Sequence, residues 1–410
     1  MEISRRGLLK KGAVVAVGMA VPTWLSKMVW ADQGAAMGFH KDIPQDRILV
    51  VIQLSGGNDG INTVVPYSDP IYRKVRPTIG IPDSEVLHLT DSIGLNPAMA
   101  ALKPIWDAKQ LAIVQGVGYP NPNRSHFRSM EIWQTAEPEK AATEGWVGRY
   151  LDAVRDGRTS PLTGINIGNE ESLAVTSAHA SVPSIQGLSN FGMIFPQTAD
   201  GQARQAALRQ IQLADSNSPY GAFFKQTASE LYESADKIRA GMANYKSTAR
   251  YNKDGFGQGM QQIAQLIAAN LGTRVFYVSY GGFDTHTQQS RRQPQLLQQY
   301  AEGVKTFMDD MNQMGIGDKV MLMTFSEFGR RVSENAGLGT DHGTASEMFV
   351  VGGGVKGGLY GRYPSLTDLD QGDLKFNTDF RSVYATALDR WMGTDSERVL
   401  GKRYDALEFI

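Results

Sequence analysis

The chain has 410 residues, 41 lysines and arginines against 42 aspartates and glutamates, six histidines and no cysteine. A near-zero net charge argues against a nucleic-acid surface. The lack of cysteine excludes disulfides, thiolate metal ligands and thiol nucleophiles.

At the start, Ser4-Arg5-Arg6-Gly7-Leu8-Leu9-Lys10 opens an apolar stretch from Gly12 to Leu25, followed by Val29-Trp30-Ala31. A charged start, a short apolar middle and a small-residue cleavage pattern are the layout of a twin-arginine export signal. Residues 1–31 are therefore expected to engage the twin-arginine translocase and to be removed, leaving a periplasmic or secreted chain from Asp32 onward. The run is shorter than the ~20 apolar residues a spanning helix needs, and no second long apolar run follows. Residues 32–410 are read as one domain.

Arg47 to Leu54 is a continuous apolar run ending in Ser55-Gly56-Gly57-Asn58-Asp59-Gly60, which predicts a buried strand and a glycine-rich turn. Helical spacing over Ala98–Gln110 leads to a second strand over Leu111–Val117, and a helix is expected from Ser125 to Trp133. Gly164–Ile167 reads as a short strand, and residues 200–250 as a polar helical insertion. A helix over Phe256–Asn270 precedes a strand over Arg274–Ser279. A long helix over Gln293–Met314, with Pro294 in its first turn, precedes strands over Lys319–Phe325 and Met348–Gly352. A last helix covers Arg381–Met392. Strands alternating with helices specify an α/β fold, doubly wound on a mostly parallel sheet.

Ligands of open α/β sheets lie beyond the carboxyl ends of the strands. Ionisable groups recur at those ends: Asp59 after the first strand, Ser125 and His126 after the second, and Asp284 and His286 after the third long one. Glu327 follows the next strand, and Asp341 and His342 precede the last. Carboxylates and imidazoles suit zinc or manganese, and carboxylates alone suit calcium or magnesium. Each residue also has a local explanation. Asp59 fits a turn, Ser125 a helix N-cap, Glu327 a pair with Arg330, and His342 a bond to a backbone carbonyl. Their coincidence of position is what points to a divalent-metal site. Adjacent side chains diverge, so only one of Asp341 and His342 is expected to face it. A serine at a helix start sits among free N–H groups that stabilise an anion. Arg124 and Arg128 flank it as candidate oxyanion clamps, and His126 is a candidate acid or ligand.

The motifs Leu54–Thr63, Ser125–Met130, Gly282–His286, Thr324–Arg330, Thr340–Ala345 and Asp379–Thr386 resemble the bacterial family called domain of unknown function 1501. That family is similar, at a distance, to the alkaline phosphatase and sulfatase superfamily. The resemblance implies Asp59 as a first metal ligand, Ser125 as nucleophile, Asp284 and His286 as a ligand pair and His342 as a last ligand, with Arg128 on the equatorial oxygens. The superfamily's later Asp-His pair is replaced here by Ser326-Glu327, which leaves Glu327 in the carboxylate role. The implied activity is metal-dependent hydrolysis of a phosphate or sulfate ester, small or polymeric. A non-catalytic binding protein on the same scaffold is the alternative. A dinucleotide-binding oxidoreductase has little support, because Gly56-Gly57-Asn58-Asp59-Gly60 lacks the dinucleotide spacing.

Overall fold

The computed structural model describes residues 44, 46–155, 161–180, 182–188, 198–214 and 219–410; the expected export signal lies outside them. Nine strands form the main sheet: β1 (Ile48–Ser55), β2 (Leu111–Gly118), β3 (Gly164–Ile167), β4 (Ser184–Ile185), β5 (Val275–Gly281), β6 (Val320–Ser326), β7 (Ser346–Gly352), β8 (Gly358–Tyr360) and β9 (Thr378–Asp379). Their order is β8-β2-β7-β6-β1-β5-β3-β4, with β9 also paired to β2. All pairings are parallel except those of β7, which runs antiparallel to both β2 and β6. The sheet is thus mixed and mostly parallel. Because β7 is reversed, the residues just before it share an edge with the residues just after β1, β5 and β6.

Side chains alternate across a strand, so β1 feeds two cores. Val50, Ile52 and Leu54 pack with Phe256, Met260, Leu297 and Val304. Those partners lie on α8 (Gly255–Ala268) and α9 (Gln289–Gln313), which follow seven other α-helices among the described residues. The seven are α1 (Gly60–Thr63), α2 (Pro70–Val75), α3 (Lys103–Asp107), α4 (His126–Thr135), α5 (Trp146–Ala153), α6 (Ala199–Leu213) and α7 (Pro219–Asn244). Leu49 and Val51 face the other side, toward Trp133 of α4, Trp146 of α5 and Tyr384 of α10 (Phe380–Thr386). Both faces of β1 are therefore buried, which is why its sequence is a continuous apolar run rather than an alternating one.

Two expected helices change shape. The Ala98–Gln110 segment begins as a 3-10 turn over Pro97–Leu102, capped by Asn96 Oδ1 on Ala98 N at 2.9 Å, before α3. The helix expected from Gln293 begins at Gln289, so Pro294 lies inside it rather than in its first turn. The extension has a cause in buried polar contacts: Gln289 and Gln293 both bond back to the turn after β1.

The helical segment expected over 200–250 is α6 and α7. Its return to the sheet is fixed by Asp310 of α9, a fully buried carboxylate that accepts from Tyr245 Oη at 2.6 Å, Ser247 Oγ at 2.5 Å and Tyr251 Oη at 2.8 Å. No helix among the described residues is long and apolar enough to cross a membrane.

Candidate metal centre

The turn after β1 is shaped by close approach. Gly56 and Gly57 have φ of +120° and +71°, a region that excludes most side chains. A Cβ on Gly56 would collide with the backbone of Phe283 and Asp284, and one on Gly57 with the Phe328 ring. These contacts draw the ends of β1, β5 and β6 together. Gly56→Ala is expected to destabilise the protein by about 2–3 kcal/mol and to displace Asp284. Calorimetry would check this, and an unchanged melting temperature would contradict so tight an approach.

Three imidazoles and one carboxylate converge at this edge. His342 Nε2 lies 2.9 Å from His286 Nε2 and 3.2 Å from Asp284 Oδ1. His286 Nε2 is 3.1 Å from the same Oδ1, and His126 Nε2 is 3.6 Å from Asp284 Oδ2. The His342 ring sits between the other two, with centroids 4.4 Å from His126 and 4.7 Å from His286. His126, Asp284 and His342 offer donor atoms all within 4.8 Å of one another. His126 Nε2 is buried and has no hydrogen-bond partner.

The other nitrogen of each ring is held in place. His126 Nδ1 donates to Glu327 Oε1 at 2.8 Å, His286 Nδ1 to Asp341 Oδ1 at 3.0 Å, and His342 Nδ1 to the Arg124 carbonyl at 2.9 Å. Each Nε2 is thereby turned toward Asp284, the orientation that metal-ligating histidines adopt. Asp284 is itself fixed by Arg330, whose guanidinium is buried and bonds Asp284 Oδ1 at 2.6 Å. The same guanidinium ties the carbonyls of Gly56, Gly57, Phe283 and Thr340 together.

Electrostatics follow from these contacts. The Glu327 hydrogen bond, working against burial, raises the His126 pKa above its ordinary value, and the charges of Glu327 and Asp284 add to the rise. Burial pushes the His342 pKa down, and the Arg330 charge works in the same direction. Burial would raise Asp284, but the hydrogen bond and charge of Arg330, with His342 and His286, overcome it and hold the carboxyl low. A low carboxyl pKa and a low His342 pKa both keep ligand atoms free of protons at neutral pH.

The structure redistributes the expected roles. Asp284, His286 and His342 come together as ligand candidates, and His126 joins them on the ligand side of its two expected roles. Glu327 lies beneath the cluster, buried, with Oε1 accepting from His126 and from Gly56 N at 2.8 Å. It orients His126 and pins the turn. Asp59 is outside the cluster: its Oδ2 pairs with buried Arg76 and with Gln289, and its Oδ1 is buried without a partner. Arg128 is directed away from the cluster, onto the carbonyls of Pro138 and Lys140 at 3.0 and 3.1 Å and onto Glu131. Asp341 and His342 both serve the site, because one bonds the outer nitrogen of His286 and the other faces the centre.

Ser125 is the N-cap of α4, and its hydroxyl caps nothing; the residue is exposed and directly precedes His126. Sequence reading missed Arg330 as the group that fixes Asp284 and Asn335 as a partner of Asp341 at 2.9 Å. The pairing of Glu327 with Arg330 entertained from the sequence gives way to Glu327–His126.

Fold and site together define an α/β protein with an imidazole–carboxylate centre at the carboxyl edge of its sheet. The chain belongs to the family described as a protein of unknown function, DUF1501, whose model matches residues 46–405. No curated protein matches it. Among solved structures it is similar to a protein in the alkaline phosphatase superfamily from Vibrio parahaemolyticus, at 10% identity, over 98% of this chain and 78% of that one, with a TM-score of 0.38. It is also similar to the phosphonate monoester hydrolase of Agrobacterium radiobacter, at 8% identity, over 88% and 79%, with a TM-score of 0.39. A third is the zinc complex of the C-terminal periplasmic domain of EcEptC from Escherichia coli, at 9% identity, over 78% and 77%, with a TM-score of 0.38.

Proposed function

We propose that the chain is an exported metal-dependent hydrolase of phosphate or sulfate esters, with a divalent ion held by His126, Asp284 and His342 and with His286 at its edge. The observation that carries this reading is the convergence of three Nε2 atoms on one carboxylate while every Nδ1 is bonded outward. Three imidazoles favour zinc or another first-row ion over calcium or magnesium, which prefer oxygen. A bound ion supplies Lewis acidity and lowers the pKa of an oxygen nucleophile beside it.

The side chains of Asp284 and His286 are 47% and 41% exposed, so substrate and water reach this centre, unlike a closed structural site. Ser125 is assigned as the nucleophile. Its hydroxyl would give up its proton to solvent as its oxygen bonds to phosphorus or sulfur, the bond to the alcohol oxygen would break with that oxygen taking up a proton, and water would then cleave the seryl ester, restoring the serine and releasing phosphate or sulfate. The first-turn N–H groups of α4 face no helical acceptor and suit the substrate's anionic oxygens. Arg330 and Glu327 keep Asp284 and His126 in register.

The test is turnover of 4-nitrophenyl phosphate and 4-nitrophenyl sulfate by the purified chain across zinc, manganese, magnesium and calcium. Ser125→Ala is expected to lower kcat at least about 10³-fold with metal binding retained. No turnover with any ion would leave the scaffold as a binding protein, and a fully active Ser125→Ala variant would remove the serine from the chemistry.

A further inference from the structure

A small hairpin stands apart from the main sheet: Leu369–Asp370 pairs antiparallel with Asp373–Leu374. Its two turn residues, Gln371 and Gly372, hold φ at +52° and +89°, the positive pair that so short a loop requires. The turn delivers Asp373 into the protein at 1% exposure. A buried carboxylate is costly unless cations are held beside it. Two meet this one: Arg124 Nη2 donates to Oδ2, and Arg331 Nε lies 3.7 Å from Oδ1. Arg331 also lies across the hairpin turn, with Nη1 donating to the Gln371 carbonyl at 2.8 Å.

Both arginines reach the metal centre through their main chain. The Arg124 carbonyl accepts from His342 Nδ1 at 2.9 Å. Arg331 N donates to the Asp341 carbonyl at 2.9 Å, and Asp341 Oδ1 is the acceptor for His286 Nδ1. Thr344, two residues after His342, fastens the same hairpin by donating to the Leu374 carbonyl at 2.6 Å. A carbonyl cannot be aimed by a rotamer, so its place depends on where the chain around it is tied. Near Arg124 two ties are local: Asn123 N donates to Tyr119 Oη at 3.0 Å, and Ser125 N to Asn123 Oδ1 at 2.8 Å. The Arg124 guanidinium on Asp373 spans 249 residues and anchors the loop to the hairpin.

Building on the metal-centre reading, we infer that Asp373 is a positioning residue for the bound ion. It holds Arg124, whose carbonyl sets the His342 ring, and Arg331, whose amide supports the segment that carries Asp341 against His286. Outer partners of this kind tune affinity although they touch no ion.

The experiment measures zinc affinity of the full chain by competition with a chromogenic chelator, beside the melting temperature of the metal-free form. Asp373→Asn is expected to weaken zinc about tenfold, the lower end for an outer partner of a ligand. Its metal-free melting temperature should change little, because the two arginine side chains are 36% and 35% exposed and can turn to water. Arg124→Ala keeps the carbonyl and loses the tie, so it should weaken zinc to a similar degree, and the double variant no further than Asp373→Asn alone. Cobalt(II) in place of zinc should show altered visible absorption bands in both variants, a change that lost stability by itself does not produce. Asp368→Asn, which breaks an exposed pair with Lys375 beside the same hairpin, should bind zinc as the wild type does. Wild-type affinity in Asp373→Asn and Arg124→Ala would overturn the inference and leave the metal centre standing. So would losses that add in the double variant, or an equal loss in Asp368→Asn. If Asp373→Asn does not fold, Arg124→Ala decides alone. A wild type that holds no zinc would overturn the metal reading, and this inference with it.

Discussion

Replacing His342 by alanine is expected to abolish metal binding, taking zinc content from about one ion per chain to under about a tenth when measured by elemental analysis, an affinity loss well beyond about 100-fold. His342 is the hub of the centre. Its Nε2 is 2.9 Å from His286 and 3.2 Å from Asp284, and its ring packs against both other imidazoles. Zinc should raise the melting temperature of the wild type, by mass action on the folded state, and leave that of His342→Ala where it was. Glu327→Gln should behave differently. It keeps every Nε2 donor but weakens the hold on His126 Nδ1, so affinity should fall about 10–100-fold with full stoichiometry recovered in excess zinc. Acid should also expel the metal. The His126 pKa is raised above its ordinary value, chiefly through its hydrogen bond to Glu327, so acid protonates that nitrogen donor more readily than a free imidazole. A His342→Ala chain that retains one tightly held zinc would place the metal elsewhere.

The second large effect concerns stability rather than the metal. Glu347, at the start of β7, is buried and accepts from Asn58 Nδ2 at 3.1 Å and Ser346 Oγ at 3.2 Å. Burial, reinforced by the charge of Asp59, pushes its carboxyl up to about 8. A raised carboxyl pKa means the folded chain keeps a proton that the unfolded chain releases above about 4.5. Stability contributed by this residue is therefore present at low pH and lost as pH climbs from about 4.5 to about 8, by up to roughly 4 kcal/mol. Glu347→Gln cannot ionise, so its melting temperature should match the wild type near pH 5 and exceed it at pH 8.5. Parallel melting curves across that range would show that the carboxyl is not held neutral by the fold.

Much of the scaffold was legible because its strands are buried on both faces and so appear as unbroken apolar runs. Ile48–Ser55, Leu111–Gly118 and Val320–Ser326 were each found to within one residue. The reversed direction of β7 was not legible, because an apolar run carries no sign of which way its backbone points. The same limit applied to the site. Asp284, His286 and His342 could be grouped by the strand ends they occupy. The roles of Asp59 and Glu327 depended on partners far away in sequence. Arg76 is the C-cap of the short helix α2, with nothing in its composition to mark it as a partner of Asp59, and Gln289 is 230 residues from Asp59. An aspartate after a strand looks the same whether it faces an ion or a buried guanidinium. Likewise, Arg128 on its own helix gave no sign that the carbonyls of Pro138 and Lys140 would capture it.

The reversal of β7 leaves the segment between Ser326 and Ser346 as a single excursion over one edge of the sheet, and Glu327, Arg330, Asn335, Asp341 and His342 all ride on it. His342 and the groups that fix His126, Asp284 and His286 thus reside in one stretch of chain. A change in the length of that stretch would therefore disturb His126, Asp284 and His286 at once, although none of the three lies on it.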